Sequence, residues 1–120
     1  MNLSQIIKTL VSEIKLTEIQ AKIFLHIVIN GQMNTSKIAN DLKISLDDAT
    51  QNSKKLVELG GFIDMPNDEF EAMHPRFTAV NMYRKMCERE QKEFKKNLNV
   101  DNIGVVLEVS YDDARTKYNK

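Results

Sequence analysis

The segment from Thr17 to Pro75 contains three helical patterns, a glycine stop and two strand patterns in one fixed order. Its first helical pattern, Glu18–Asn30, is apolar at eight of 13 positions, six of them within Ile23–Ile29, and a helix of this kind has to be covered on several sides. Thr17 and Gln20 form a capping box at its start, and Gly31 supplies the left-handed residue that ends it. The order of these elements limits the possible folds more than any other feature of the chain.

Two more helical patterns follow this buried helix. A short helix is predicted from Thr35 or Ser36 to Leu42, and a longer one over residues 46–59, with Ser45 as its N-cap. We expect the longer helix to bury one stripe of side chains: Leu46, Ala49, Ser53, Leu56 and Val57.

A β-hairpin is predicted after Gly60 and Gly61, which end the longer helix. Its strands are residues 62–65 and 70–73, and residues 66–69 form a four-residue turn between them. Two helices that are joined by a three-residue turn and followed by a hairpin are typical of a winged helix-turn-helix. The predicted fold class is therefore mainly α with a small β-hairpin wing.

The residues on both sides of this segment are also predicted to be helical. An amphipathic helix covers residues 3–14 and a long helix covers residues 78–98, while the tail 101–120 suits either a helix or a strand. We assign residues 1–76 to the winged helix-turn-helix domain and residues 77–120 to a C-terminal helical dimerisation segment with its tail. One side of the long helix forms the predicted dimerisation seam: Val80, Tyr83, Cys87, Phe94 and Leu98.

Three stretches of the sequence carry a family resemblance. They are Leu16-Thr17 with Gln20-Ala21-Lys22-Ile23-Phe24, then Thr35-Ser36-Lys37-Ile38-Ala39, and finally Leu56-Val57-Glu58-Leu59-Gly60-Gly61-Phe62-Ile63. Together they resemble the archaeal TrmB-like transcriptional regulators, within the wider MarR and ArsR type of winged helices, over roughly residues 16–76. The resemblance implies a transcriptional regulator that binds double-stranded DNA as a homodimer. Longer members of the family carry a C-terminal sugar-binding domain, which the short tail cannot provide, so no small-molecule ligand domain is expected.

The outer face of helix 46–59 is where a winged helix would meet base edges. Gln51 and Asn52 have the paired donor and acceptor groups that read adenine, and the lysines nearby can reach phosphates. A solvated helix face is the alternative interpretation of the same residues. Arg76 either replaces a wing contact or pairs with Glu71 or Asp64. The predicted DNA-binding residues are Lys37, Thr50, Gln51, Asn52, Lys54, Lys55 and Arg76.

Acidic residues lie where phosphates would have to approach. Asp47 and Asp48 suit the positive end of a helix dipole, but close to a phosphate they repel it. The predicted turn contributes Asp68 and Glu69 and no base. The alternative function is therefore a protein–protein interaction module that binds a basic partner through this acidic face and wing.

The overall charge sets a further limit on function. The chain has 17 basic and 17 acidic residues, which argues against binding nucleic acid by bulk electrostatics but not against a local basic face. Residues 78–97 hold six bases and three acids. They form either a solvated helix face or a surface that flanks DNA or an acidic partner.

Catalysis, cofactors and metals find no support in the sequence. One cysteine and the distant histidines His26 and His74 do not form a metal-ligand pattern, and there is no glycine-rich phosphate loop. No apolar stretch is long enough to span a bilayer, and no signal peptide is visible. A single cysteine fits a reducing cytoplasm. Cys87 is expected either to be buried in the seam or, if exposed, to be activated by neighbouring bases.

Overall fold

The computed structural model describes the backbone of residues 1–118 and the side chains of residues 1–116. The fold is mainly α with a small antiparallel sheet, which confirms the coarse prediction of fold class. The helices are α1 (Leu3–Glu13), α2 (Glu18–Asn30), α3 (Thr35–Leu42), α4 (Leu46–Leu59), α5 (Pro75–Arg89) and α6 (Leu98–Tyr118), and the strands are β1 (Met33–Asn34), β2 (Ile63–Met65) and β3 (Glu69–Glu71). None of the helices described combines the length and the apolar character needed to cross a membrane.

The central helix of the fold is α2. The Thr17 hydroxyl accepts from the Gln20 N–H and the Gln20 side chain accepts from the Thr17 N–H, so the predicted capping box is confirmed. Gly31 ends the helix with a φ of 98°. Helices α1, α4 and α6 all pack against α2. Its buried apolar side chains lie on several sides of the helix, as predicted: Ala21, Ile23, Phe24, Leu25, Ile27 and Val28.

Helices α3 and α4 are joined by the short link Lys43–Ser45. Lys43 takes the left-handed conformation, with a φ of 56°, and the Ile44 N–H donates to the Ala39 carbonyl at 3.1 Å. The Ser45 hydroxyl then accepts from the Asp48 N–H at 3.0 Å and caps α4, as predicted. The predicted burial of Leu46 is wrong: its side chain is 53% exposed, because the whole first turn of α4 faces solvent.

The sheet has the strand order β1–β3–β2 and is antiparallel throughout. The predicted hairpin is confirmed, but Met65 pairs with Glu69, so the turn has three residues instead of four. Asn67 and Asp68 both take positive φ, at 64° and 57°, which asparagine and aspartate tolerate better than other non-glycine residues. Strand β1 pairs with β3 and was not predicted, because two residues are too few for an alternating pattern.

The predicted helix over residues 78–98 is confirmed over residues 78–89 and wrong beyond them. Helix α5 ends at Arg89, and Gln91 takes the left-handed conformation with a φ of 55°. The Lys92 N–H donates to the Cys87 carbonyl at 2.8 Å. This hydrogen bond caps the end of α5, although no glycine is present there. Residues 90–97 form an exposed connection before α6 begins, so no continuous dimerisation seam exists.

Helix α6 resolves the ambiguity of the tail in favour of a helix; residues 119–120 of that prediction lie outside the described part. The helix packs against α1, α2 and α5. Its inward side chains complete the core of the protein: Val100, Ile103, Leu107 and Ala114.

A polar anchor fixes the C-terminal half of α6. The Arg115 guanidinium donates to the carbonyls of Ile27 and Val28 at the end of α2, and it forms an ion pair with Glu71 of β3. It also stacks on the Tyr111 ring, 3.7 Å from the ring centroid. The last carbonyls of a helix hold partial negative charge and attract a cation. Arg115 therefore joins α6 to α2 and to the sheet at once.

Gly104 allows α5 and α6 to cross at close range. A methyl group built at this position would lie 2.6 Å from the Arg76 Cα, which belongs to the backbone of α5. Gly104→Ala should therefore push the two helices apart and lower the free energy of unfolding by about 1–3 kcal/mol. Urea denaturation measures the difference. Asn102→Ala is the matched control, because Asn102 is an exposed residue of the same helix; equal effects of the two variants would contradict the proposed close contact.

Candidate functional site

The candidate site is the α4 face, which we define as the exposed side of α4 together with the hairpin β2–β3. Asp47, Gln51, Lys54 and Glu58 follow one another along the exposed side of the helix at helical spacing. Lys55 is exposed beside them. These side chains are the ones that a partner lying along α4 would meet first.

Two of the predicted contact residues lie at the margin of this face. Thr50 and Asn52 are half-buried, and both bond to the backbone of their own helix. The Thr50 hydroxyl donates to the Leu46 carbonyl at 2.8 Å, and the Asn52 amide donates to the Asp48 carbonyl at 2.8 Å. They are less available to a partner than Gln51 and the two lysines.

The outward residues of α4 are held by weak local pairs. The Gln51 amide donates to both carboxylate oxygens of Asp47, at 3.0 and 3.1 Å. Lys55 lies 3.2 Å from the Glu58 carboxylate. Lys54 forms no ion pair with any side chain that the structure describes. An exposed pair of this kind contributes about 0–1 kcal/mol, so a partner can displace it.

Lys37, in the first turn of α3, belongs to a separate cluster. Its ammonium lies 3.2 Å from the Asp41 carboxylate, which also contacts His26 Nε2 at 2.8 Å. The hydrogen bond from His26 is the main cause that lowers the pKa of Asp41, and Lys37 lowers it further. His26 is half-buried and thus joins α2 to α3.

Arg76 is engaged with α6. Its guanidinium donates to one oxygen of Glu108 through NH2 at 3.0 Å and through Nε at 3.2 Å. The two partners considered from the sequence, Glu71 and Asp64, do not form this pair, and Glu71 is taken by Arg115. That outcome depends on the position of α6, which the sequence left open.

The five predicted dimerisation residues do not share one surface. Cys87 is 1% exposed, and Val80 and Tyr83 are half-buried against the core. Phe94 and Leu98 are exposed, and they lie beyond the break that ends α5. Cys87 is therefore buried, which is one of the two alternatives considered from the sequence.

One cluster of potential metal ligands was missed in the sequence. His74 Nε2 lies 3.6 Å from Glu108 and 3.8 Å from Asp112, which are one turn apart on α6. The other ring nitrogen, Nδ1, accepts from the Arg76 N–H at 3.2 Å and caps α5. A neutral ring that accepts through Nδ1 carries its proton on Nε2, so coordination there would break the cap. We assign His74 to the capping of α5, with Nε2 facing the carboxylates of Glu108 and Asp112.

The charge of the α4 face is negative. Residues 46–71 hold seven acids and two bases.

Comparison with models of known protein families gave no match, and comparisons with curated proteins and with solved structures gave none that is significant. The function is therefore argued from the geometry and charge of the chain itself.

The Asp41 cluster makes a prediction about pH. A carboxyl group whose pKa is lower in the folded state stabilises the fold above its unfolded pKa, and this contribution is lost as the pH falls through the folded pKa. Asp41→Asn should therefore lower the free energy of unfolding at pH 7, and the difference from the unchanged protein should shrink as the pH falls below about 4. Urea denaturation at several pH values measures it. Asp113→Asn controls for the loss of one exposed carboxylate; a difference that is independent of pH would contradict the assignment.

Proposed function

We propose that the chain is a DNA-binding winged helix-turn-helix protein of the TrmB-like regulator type, in which α4 reads duplex DNA. The observation that carries the proposal is the geometry of α3 and α4, joined by three residues and followed directly by the hairpin β2–β3. The 14 residues of α4 span about 21 Å. A single helix of this kind fits a major groove that is about 12 Å wide.

The polar side chains of α4 support base and phosphate contacts. Gln51 has to leave Asp47 before it can bind adenine, and the bond that it gives up is worth about 0.2–0.5 kcal/mol. A bidentate contact with a base contributes about 1–3 kcal/mol of discrimination, so the exchange favours DNA. Lys54 and Lys55 supply positive charge on the same side of the helix.

The salt dependence of binding tests this proposal. Affinity for a mixed pool of duplex DNA fragments should fall as salt rises, because contacts to phosphate release counterions. Lys54→Ala with Lys55→Ala should weaken binding to all sequences and reduce the slope of log affinity against log salt by about 1 for each phosphate that is no longer neutralised. Lys8→Ala with Lys22→Ala removes the same charge from exposed positions on α1 and α2 and should leave the slope unchanged.

A second candidate function rests on the charge of the α4 face. An excess of five acids over residues 46–71 repels phosphate and attracts a basic protein surface. If duplex DNA is not retained even at low salt, the DNA proposal fails. Binding of a lysine-rich peptide that is lost in Asp47→Asn with Asp48→Asn then supports a protein-interaction module.

Homodimerisation in the cytoplasm is part of the main proposal. Leu98, Val105 and Val109 are exposed and lie on one side of α6, at a spacing of seven and then four residues. This apolar stripe supports self-association through α6, and the buried Cys87 fits a reducing compartment.

Sedimentation analysis tests the dimer directly. The unchanged protein should sediment as a dimer at tens of micromolar, and Val105→Glu with Val109→Glu should sediment as a monomer because charge replaces the apolar stripe. Val11→Glu, an exposed apolar residue of α1, is the matched control and should stay dimeric. A monomer of the unchanged protein would contradict this part of the proposal.

A further inference from the structure

The last turns of α5 and the connection that follows them form the most basic part of the chain. Residues 84–96 hold six bases and three acids, whereas the rest of the chain has three more acids than bases. Each of the three acids is in an ion pair with one of these bases. Three bases remain without an ion pair among the residues that the structure describes: Lys85, Arg89 and Lys96.

Lys15, in the link between α1 and α2, adds a further positive charge to this region. Lys92, whose ammonium lies 3.0 Å from Glu90, is the main cause that lowers the pKa of that carboxyl, and the charges of Lys15 and Arg89 lower it further. Lys15 follows Glu13, to which the side chains of Asn97 and Asn99 donate, so it lies near the end of this connection. We name the whole set the basic surface: Lys15, Lys85, Arg89, Lys92, Lys95 and Lys96.

The basic surface is held in place by contacts at both ends of the connection. At its start, the Lys92 N–H closes the end of α5, and the Phe94 ring packs against Tyr83 with centroids 6.0 Å apart. At its other end, the amides of Asn97 and Asn99 donate to the Glu13 carboxylate of α1, at 3.1 and 3.2 Å. An ordered segment loses less conformational entropy on binding than a flexible one.

The basic surface begins where α4 ends. A methyl group built at Gly60, the C-cap of α4, would lie 2.9 Å from the Lys85 side chain, so this lysine passes directly beside the end of the helix. The hairpin, which follows that helix end in the sequence, supplies acids. The positive charge that a basic wing would offer is thus supplied by the end of α5 and the connection that follows it.

We propose that the basic surface binds the phosphate backbone of duplex DNA, as a second contact region beside α4. This inference rests on the proposed function, which it extends to a surface outside the helix-turn-helix. A membrane surface fits less well, because the exposed apolar residue among these bases, Phe94, packs on Tyr83, and the neighbouring Leu98 belongs to the stripe proposed for self-association. The contacts are to phosphate, so they position the protein on DNA and do not read its sequence.

A double variant of the two exposed bases without ion pairs tests the inference. Arg89→Ala with Lys96→Ala should weaken duplex binding by roughly tenfold per contact at 0.1 M salt, equally for all sequences, and should reduce the salt slope by about 1 per contact. Arg89→Lys with Lys96→Arg keeps both charges and should restore the slope. Lys8→Ala with Lys22→Ala again serves as the control of equal charge.

The outcomes separate this inference from the proposed function. If the unchanged protein binds DNA and the Arg89/Lys96 variant keeps its slope, the basic surface is not a contact, while the function stands. If that variant loses affinity and the Lys54/Lys55 variant does not, the basic surface is supported and the role of α4 is overturned. Binding to phosphatidylserine vesicles, without binding to duplex DNA at low salt, would overturn both.

Discussion

A helix that is apolar on several sides cannot leave any of those sides in water, and α2 is such a helix. Each large side chain that it buries contributes about 1.5–3 kcal/mol relative to exposure. One partner helix covers only one side, so the fold needs α1, α4 and α6 around the same axis. The positions of the other elements follow from this requirement: the α3–α4 pair leaves the outer side of α4 exposed, and α5 runs back to allow α6 to close the remaining side.

The closure by α6 uses charge as well as apolar contact. Arg115 is mostly buried, and a buried cation is costly unless its donors find partners. Two carbonyls at the end of α2 and the Glu71 carboxylate accept from its two Nη groups, and the Tyr111 ring lies under the guanidinium, while Nε has no hydrogen-bond partner among the described residues. Because Glu71 belongs to β3, one side chain connects the last helix, the central helix and the sheet that carries the hairpin. The orientation of the hairpin beside α4 is thereby coupled to α6.

Much of this fold could be predicted from local chemistry. The failures concern features that leave no local signal in the sequence. The ends of α2 and α4 were predictable because glycine marks them, at Gly31 and Gly60. The end of α5 was missed because Gln91, a residue without any turn preference, takes the left-handed conformation there. Tertiary pairing was equally hidden: Arg76 meets Glu108 only because α6 is a helix, and its pattern suited a strand too. On the α4 face the exposed residues were predictable, whereas the bonds of Thr50 and Asn52 to their own backbone were not.

The late place of α6 in the sequence has a consequence for how the protein reaches its native state. The contact between α2 and α6 joins distant parts of the chain, since α3, α4, α5 and the whole sheet lie between them. Distant contacts form slowly because a long loop has to close first. Until Val100, Ile103 and Leu107 arrive, one apolar side of α2 remains open to water and to other chains. A nascent or partly folded molecule is therefore most prone to aggregate just before α6 packs against α2, and this is the interval in which chaperones would bind it.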